Sequence, residues 1–131
     1  MHIAFLMDPL ASIAPENETT SHLMYECNQR GHTVYFLEPH DIYIRENEVV
    51  ARMRNITVAP NLSMKKYWRS LIHCLKKDEL IFETIADLDA LFLRKNPPMV
   101  YQTTEFLSSV SDKVFMINNT TGQIRANSKL Y

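Results

Sequence analysis

Glycine is scarce: Gly31 and Gly122 are the only two in 131 residues. Loops that cradle phosphate need several glycines, so that backbone amides can come close to the anion. A P-loop and a dinucleotide fingerprint are both excluded. Cysteine is scarce as well. Cys27 and Cys74 stand far apart in no paired motif, which predicts reduced, half-buried thiols and a cytosolic setting. No apolar run approaches the roughly 20 residues that span a bilayer, and no basic leader precedes the first run, Ile3 to Met7. The net charge of −1 is too small for bulk capture of nucleic acid or an anionic membrane. The five histidines show no metal-ligand spacing. No Ser-His-Asp or Cys-His arrangement can be argued.

What is present is an ordinary globular composition, 46% hydrophobic, in a chain long enough for a layered core. His2 to Met7 is continuously apolar, as a strand covered on both faces should be, and Asp8-Pro9 stops it. A helix is predicted from about Glu18 to Arg30, with Leu23, Met24 and Cys27 on one face and Gly31 closing it. A second strand follows from Thr33 to Glu38. Ile42-Tyr43-Ile44 and Val49 to Val58 flank a polar turn at Glu46-Asn47, a predicted hairpin. Its apolar phase switches from 49, 51, 53 to 56, 58, and a bulge or bend near Asn55 would account for that.

Ser63 is a candidate N-cap for the clearest helix. There Met64, Tyr67, Trp68, Leu71, Ile72 and Leu75 recur at helical spacing. Lys65, Lys66, Arg69, Lys76 and Lys77 form a basic stripe on it, read as its wet face rather than as a nucleic-acid surface. Residues 78–87 fit a short helix or a strand equally well. Asp89 to Arg94 reads as a central strand. A helix after Pro98 turns Met99, Thr103, Phe106, Leu107 and Val110 inward, and a last strand runs Lys113 to Ile117. A short helix near Thr121 to Ala126 completes the series. The order predicts an α/β fold: a Rossmann-like, mainly parallel sheet with helices on both faces, plus an antiparallel hairpin.

The informative stretch is Leu91-Phe92-Leu93-Arg94-Lys95-Asn96-Pro97-Pro98. An apolar strand ends in two cations, an amide and two prolines, and proline cannot continue a ladder. Ligands of open α/β sheets bind at the carboxyl ends of the strands, so two cations fixed there point to an anionic ligand. Alternation leaves one of them in the crevice, and Arg94 is favoured because its planar fork suits a carboxylate. With right-handed crossovers, Asp8-Pro9 and Arg94-Lys95 leave neighbouring strands on the same edge. Asp8 would then cap the next turn or orient Arg94. The acid pair and lysine of a phospho-receiver domain are missing, since Asp89 begins its strand. The chain stops on the apolar pair Leu130-Tyr131, which predicts a further domain.

Taken together these residues resemble the amino-terminal domain of bacterial glutathione synthetase, an ATP-grasp ligase. The likeness rests on Met7-Asp8-Pro9, Arg30-Gly31, Asp41-Ile42-Tyr43, Leu88-Asp89, Arg94-Lys95-Asn96-Pro97-Pro98, Ile117-Asn118 and Asn127-Ser128-Lys129-Leu130. It implies a pre-ATP-grasp domain over residues 1–122, with residues 123–131 leading toward an ATP-grasp domain. It implies a parent enzyme that joins γ-glutamylcysteine to glycine through an acyl-phosphate, with ATP and Mg²⁺, in the cytoplasm and as a homo-oligomer. On this resemblance Asp8, Arg94, Lys95 and Asn96 lie on the substrate side, and Lys129 matches a lysine that reaches the nucleotide phosphates. No catalytic residue or metal ligand is expected within this chain, and the chain alone should not ligate. Asn96 and Ser128 stand where the family usually has aspartate and glutamate. Two other readings follow from that: a non-catalytic ligand-binding or interaction module, and a ligase for another amino acid or peptide.

Overall fold

The first strand sets the architecture. In a computed structural model, which describes residues 1–10, 19–77, 79–95 and 101–117, β1 (His2–Leu6) is buried at every position after His2. A strand that is apolar on both faces needs cover on both, which puts it in the middle of a sheet. β2 (Thr33–Leu37) and β6 (Ala90–Leu93) flank it, each parallel to it. β7 (Phe115–Ile117) adds a third parallel ladder outside β6. On the other side, β4 (Glu48–Asn55) runs antiparallel to β2, to β3 (Ile42–Arg45) and to β5 (Leu80–Thr84). The described residues thus form one mixed sheet of seven strands in the order β3-β4-β2-β1-β6-β7, with β5 on the free edge of β4.

Alternation along β1 divides the core in two. Ala4 and Leu6 pack with Leu107 of α3 (Tyr101–Ser108) on one face. Ile3 and Phe5 pack on the other with Met24 of α1 (Thr19–Gln29) and with Tyr67 and Leu71 of α2 (Met64–Lys76). Helices on both faces are what the sequence predicted. Ser63 caps α2, its hydroxyl accepting from the Lys66 amide at 3.3 Å, and all five residues of the basic stripe are exposed. At the end of α1 the Gly31 amide donates to Asn28 O at 3.1 Å and the His32 amide to Cys27 O at 3.2 Å. That crossed pair needs a left-handed residue between the two, and Gly31 has φ 82°.

β2 and β3 share one edge of β4. Phe36 faces Arg54 and Ile42 faces Ala51, so six steps along one side meet three along the other. The 3-10 turn Pro39–Asp41 takes up the surplus. Asp41 holds it: the carboxylate accepts from the Glu38 amide at 2.9 Å and from Arg52 Nη2 at 3.2 Å. Thr103 Oγ1 of α3 donates to Pro39 O at 3.1 Å and docks the helix against the same turn. The β3–β4 hairpin closes through Glu46 and Asn47, with φ 52° and 66°, a turn whose twist matches that of the strands.

Of the bulge or bend expected near Asn55, the bulge is not there. Pairing keeps one register through Asn55, and the Ile56 amide continues it to Val34 O at 2.9 Å. The apolar phase switches because the covered face switches. Val49, Ala51 and Met53 belong to the core under α3, whereas Ile56 belongs to the core under α1 and α2. Residues 79–87 resolve into β5 and the 3-10 turn Ile85–Asp87. On that sheet edge Leu80 and Phe82 are exposed, which is why alternation gave no signal. The predicted short helix at 121–126 lies outside the described residues, as do Pro97, Pro98 and Met99.

Tyr67 is fully buried, and its hydroxyl has no hydrogen-bond partner among the described residues. Burial pushes its phenol, and those of Tyr35 and the Cys27 thiol, above their ordinary pKa values. Raised acids stay neutral in the fold at a pH where the unfolded chain ionises. Their contribution is complete below the unfolded values, roughly 8.5 for a thiol and 10 for a phenol, and is lost as pH climbs beyond them. Tyr67→Phe should therefore match or exceed the parent at pH 7, by up to about 1 kcal/mol. It should also lose less between pH 9 and 11. Urea midpoints at both pH values measure this, and a large loss at pH 7 would reveal a partner for the hydroxyl.

Candidate functional site

The two strands that carry the candidate residues are locked in register by their own ladder. Leu6 lies beside Leu93, and Phe5 stacks on Phe92 with ring centroids 4.7 Å apart. The ladder runs one step further on each side of β1. Arg94 N donates to Leu6 O at 2.8 Å and Met7 N to Leu37 O at 3.1 Å. Asp8, Arg94 and Lys95 consequently leave the sheet side by side at the carboxyl ends of co-directional strands, as the sequence predicted.

Side-chain alternation then sorts the charges. Leu6 and Leu93 face α3, so the next positions turn toward α1 and the ones after that toward α3 again. Arg94 accordingly reaches α1, where its Nε donates to Thr20 Oγ1 at 3.0 Å. Lys95 comes up opposite Asp8, and Lys95 Nζ lies 3.2 Å from Asp8 Oδ1. Asp8 thus meets Lys95, and the turn it was expected to cap runs on into residues 11–18, outside the described residues. The phase that separates the two cations also decides which of them the aspartate can reach.

The pair is only partly shielded, with side-chain exposures of 21% for Lys95 and 27% for Asp8. An ion pair that still reaches water contributes on the order of 1 kcal/mol, a gain that an incoming carboxylate can match by taking up the same ammonium. The result is a crevice edge bearing one guanidinium tied to a helix and one ammonium tied to an aspartate. Chemically, such a pair of cations can bind an anion and orient it. Asn96 and Lys129 lie outside the described residues.

Two further features lie at the other end of the sheet. The Asp89 carboxylate accepts from the His2 amide at 2.7 Å, at the opposite end of the sheet, which fits the reading that it starts a strand. An apolar groove of about 440 Å³ opens at that far end too, between Ile3, Leu23, Cys27, Phe92 and Phe115. It shares no residue with the charged edge. Burial holds the Cys27 thiol protonated, outweighing the nearby Arg30, so that groove lacks a reactive thiolate. Among the described residues no group of three His, Cys, Asp or Glu could hold a metal ion, and no helix is long and apolar enough to cross a membrane. Sequence reasoning missed Thr20. A threonine at a helix start reads as a cap, and only the position of α1 over β6 shows that it faces Arg94.

A mixed sheet with a parallel centre and helices on both faces defines the class: an α/β domain of the doubly wound kind. Residues 1–125 match the family model of the prokaryotic glutathione synthetase N-terminal domain. Over its whole length the chain is 33% identical to a glutathione synthetase of Coxiella burnetii and 28% identical to one of Synechococcus elongatus. Against a glutathione synthetase of Escherichia coli O6:H1 it is 28% identical over 98% of its length. It covers 39%, 42% and 39% of those relatives, so it spans about two fifths of their length. The chain belongs to the prokaryotic glutathione synthetase N-terminal domain family.

The pairing at the edge is directly measurable. A double-mutant cycle with Asp8→Asn and Lys95→Met should give a coupling of on the order of 1 kcal/mol in unfolding free energy, fading as salt is raised. A coupling of zero at low salt would mean the two charges do not meet.

Proposed function

We propose that this chain is the substrate-side domain of an ATP-dependent ligase that joins γ-glutamylcysteine to glycine. In this reading residues 1–122 form the domain, and residues 123–131 begin the connection to a carboxyl-terminal ATP-grasp domain. The observation that supports it most is the meeting of Asp8, Arg94 and Lys95 at one sheet edge in a chain of this family. Arg94 and Lys95 take a carboxylate of the dipeptide, the guanidinium by two hydrogen bonds and the ammonium as a point charge. Asp8 keeps Lys95 extended toward the crevice. Asn96, next in the chain, joins the same substrate side, and Lys129 contacts the nucleotide phosphates.

The described residues do not fit ATP or Mg²⁺. They lack an acidic cluster for the metal, and Gly31, their one glycine, ends a helix. Nucleotide and metal therefore belong to the ATP-grasp domain, where bound ATP supplies the energy for activating the carboxylate. The chain alone binds and orients without ligating. The parent enzyme is cytoplasmic and assembles as a homo-oligomer.

The test uses the longer protein that carries this chain. It should release ADP only when γ-glutamylcysteine and glycine are both present. Arg94→Ala should raise KM for γ-glutamylcysteine by roughly 10- to 100-fold, the loss of a charge-assisted hydrogen-bonded contact. KM for ATP should stay unchanged. An unaltered dipeptide KM in Arg94→Ala, or no turnover of the dipeptide, would overturn the assignment.

A further inference from the structure

The hydrogen bond between Arg94 and Thr20 has a chemical consequence for how an anion is held. Thr20 is 3% exposed, in the first turn of α1, and its Oγ1 accepts from Arg94 Nε at 3.0 Å across 74 residues of sequence. The first turn of α1 carries no acidic residue. A helix also offers the positive end of its dipole there, so its field does not attract a guanidinium. Among the described residues, what holds the arginine at this end of α1 is the hydroxyl.

A guanidinium offers a carboxylate two bidentate edges: one uses Nε and an Nη, the other both Nη groups. With Nε committed to Thr20, the edge left for a two-point grip is the one formed by the two Nη groups. We infer that Thr20 is a positioning residue: it selects end-on binding by Arg94 and thereby sets the direction from which the substrate carboxylate must approach. This rests on the reading of Arg94 as a substrate-binding residue. The long side chain of arginine loses much rotamer freedom when it binds a ligand, and a hydroxyl that already orders Nε removes part of that loss. The effect should appear in substrate binding and not in nucleotide binding.

The experiment compares Thr20→Val, Thr20→Ser, Arg94→Ala and the Thr20→Val/Arg94→Ala pair in the longer protein that carries this chain. Thr20→Val should raise KM for γ-glutamylcysteine by about five- to tenfold, with KM for ATP unchanged. Thr20→Ser, which keeps the acceptor, should stay within about twofold of the parent. On top of Arg94→Ala, Thr20→Val should add nothing further, because the residue it positions is gone. A silent Thr20→Val beside an impaired Arg94→Ala overturns this inference alone. An equal additional rise in the Arg94→Ala background does the same. A silent Arg94→Ala overturns both this inference and the substrate assignment beneath it. Should Thr20→Val fail to fold, the unaltered protein decides by NMR. The Arg94 Nε proton should exchange slowly with solvent and show a contact to Thr20, whereas fast exchange without that contact overturns the inference.

Discussion

The parallel register between β1 and β6 is the constraint on which the rest depends. With Leu6 beside Leu93 and Phe5 stacked on Phe92, the positions after each strand have no freedom of phase. Arg94 must turn toward α1 and Lys95 toward Asp8. A slip of one residue would exchange the two faces along the whole of β6, moving Leu91 and Leu93 out of the core under α3. The burial of these leucines therefore fixes the placement of the charges. Two nonpolar side chains determine which face each cation takes, and Thr20 and Asp8 then hold the cations there.

The second half of the sheet serves the first. β4 is a common partner for β2, β3 and β5, and the 3-10 turn held by Asp41 lets β2 and β3 share one of its edges. The same turn receives Thr103 of α3, so the helix following the Arg94 loop is tied to the strand following α1. The carboxyl edge is bounded by elements that are fastened to one another.

Much of this was legible in the sequence, and for identifiable reasons. The continuous apolar run of β1, the helical spacing of Tyr67 and Leu71, and Gly31 after Arg30 each have one reading in physical terms. Asp8-Pro9 and Arg94-Lys95 could be placed on one edge because strand order follows from right-handed crossovers. The partner of Asp8 was within reach too: the alternation that separates Arg94 from Lys95 also points Asp8 at the lysine, given the register. Register is what a single sequence does not contain, since it is set by packing between segments more than 80 residues apart. Thr20 was hidden for the same reason. β5 was hidden for another: its Leu80 and Phe82 are exposed on a sheet edge, and an edge strand with one apolar face in water shows neither a helical nor a buried-strand period.

The account is tested most directly at the backbone bond that continues the β1–β6 ladder. In protein labelled with ¹⁵N and ¹³C, a scalar coupling across the hydrogen bond should connect the Arg94 amide nitrogen to the Leu6 carbonyl carbon. A coupling from Arg94 to any other carbonyl would mean a different register, would move Lys95 away from Asp8 and Arg94 away from Thr20, and would contradict the account at its base.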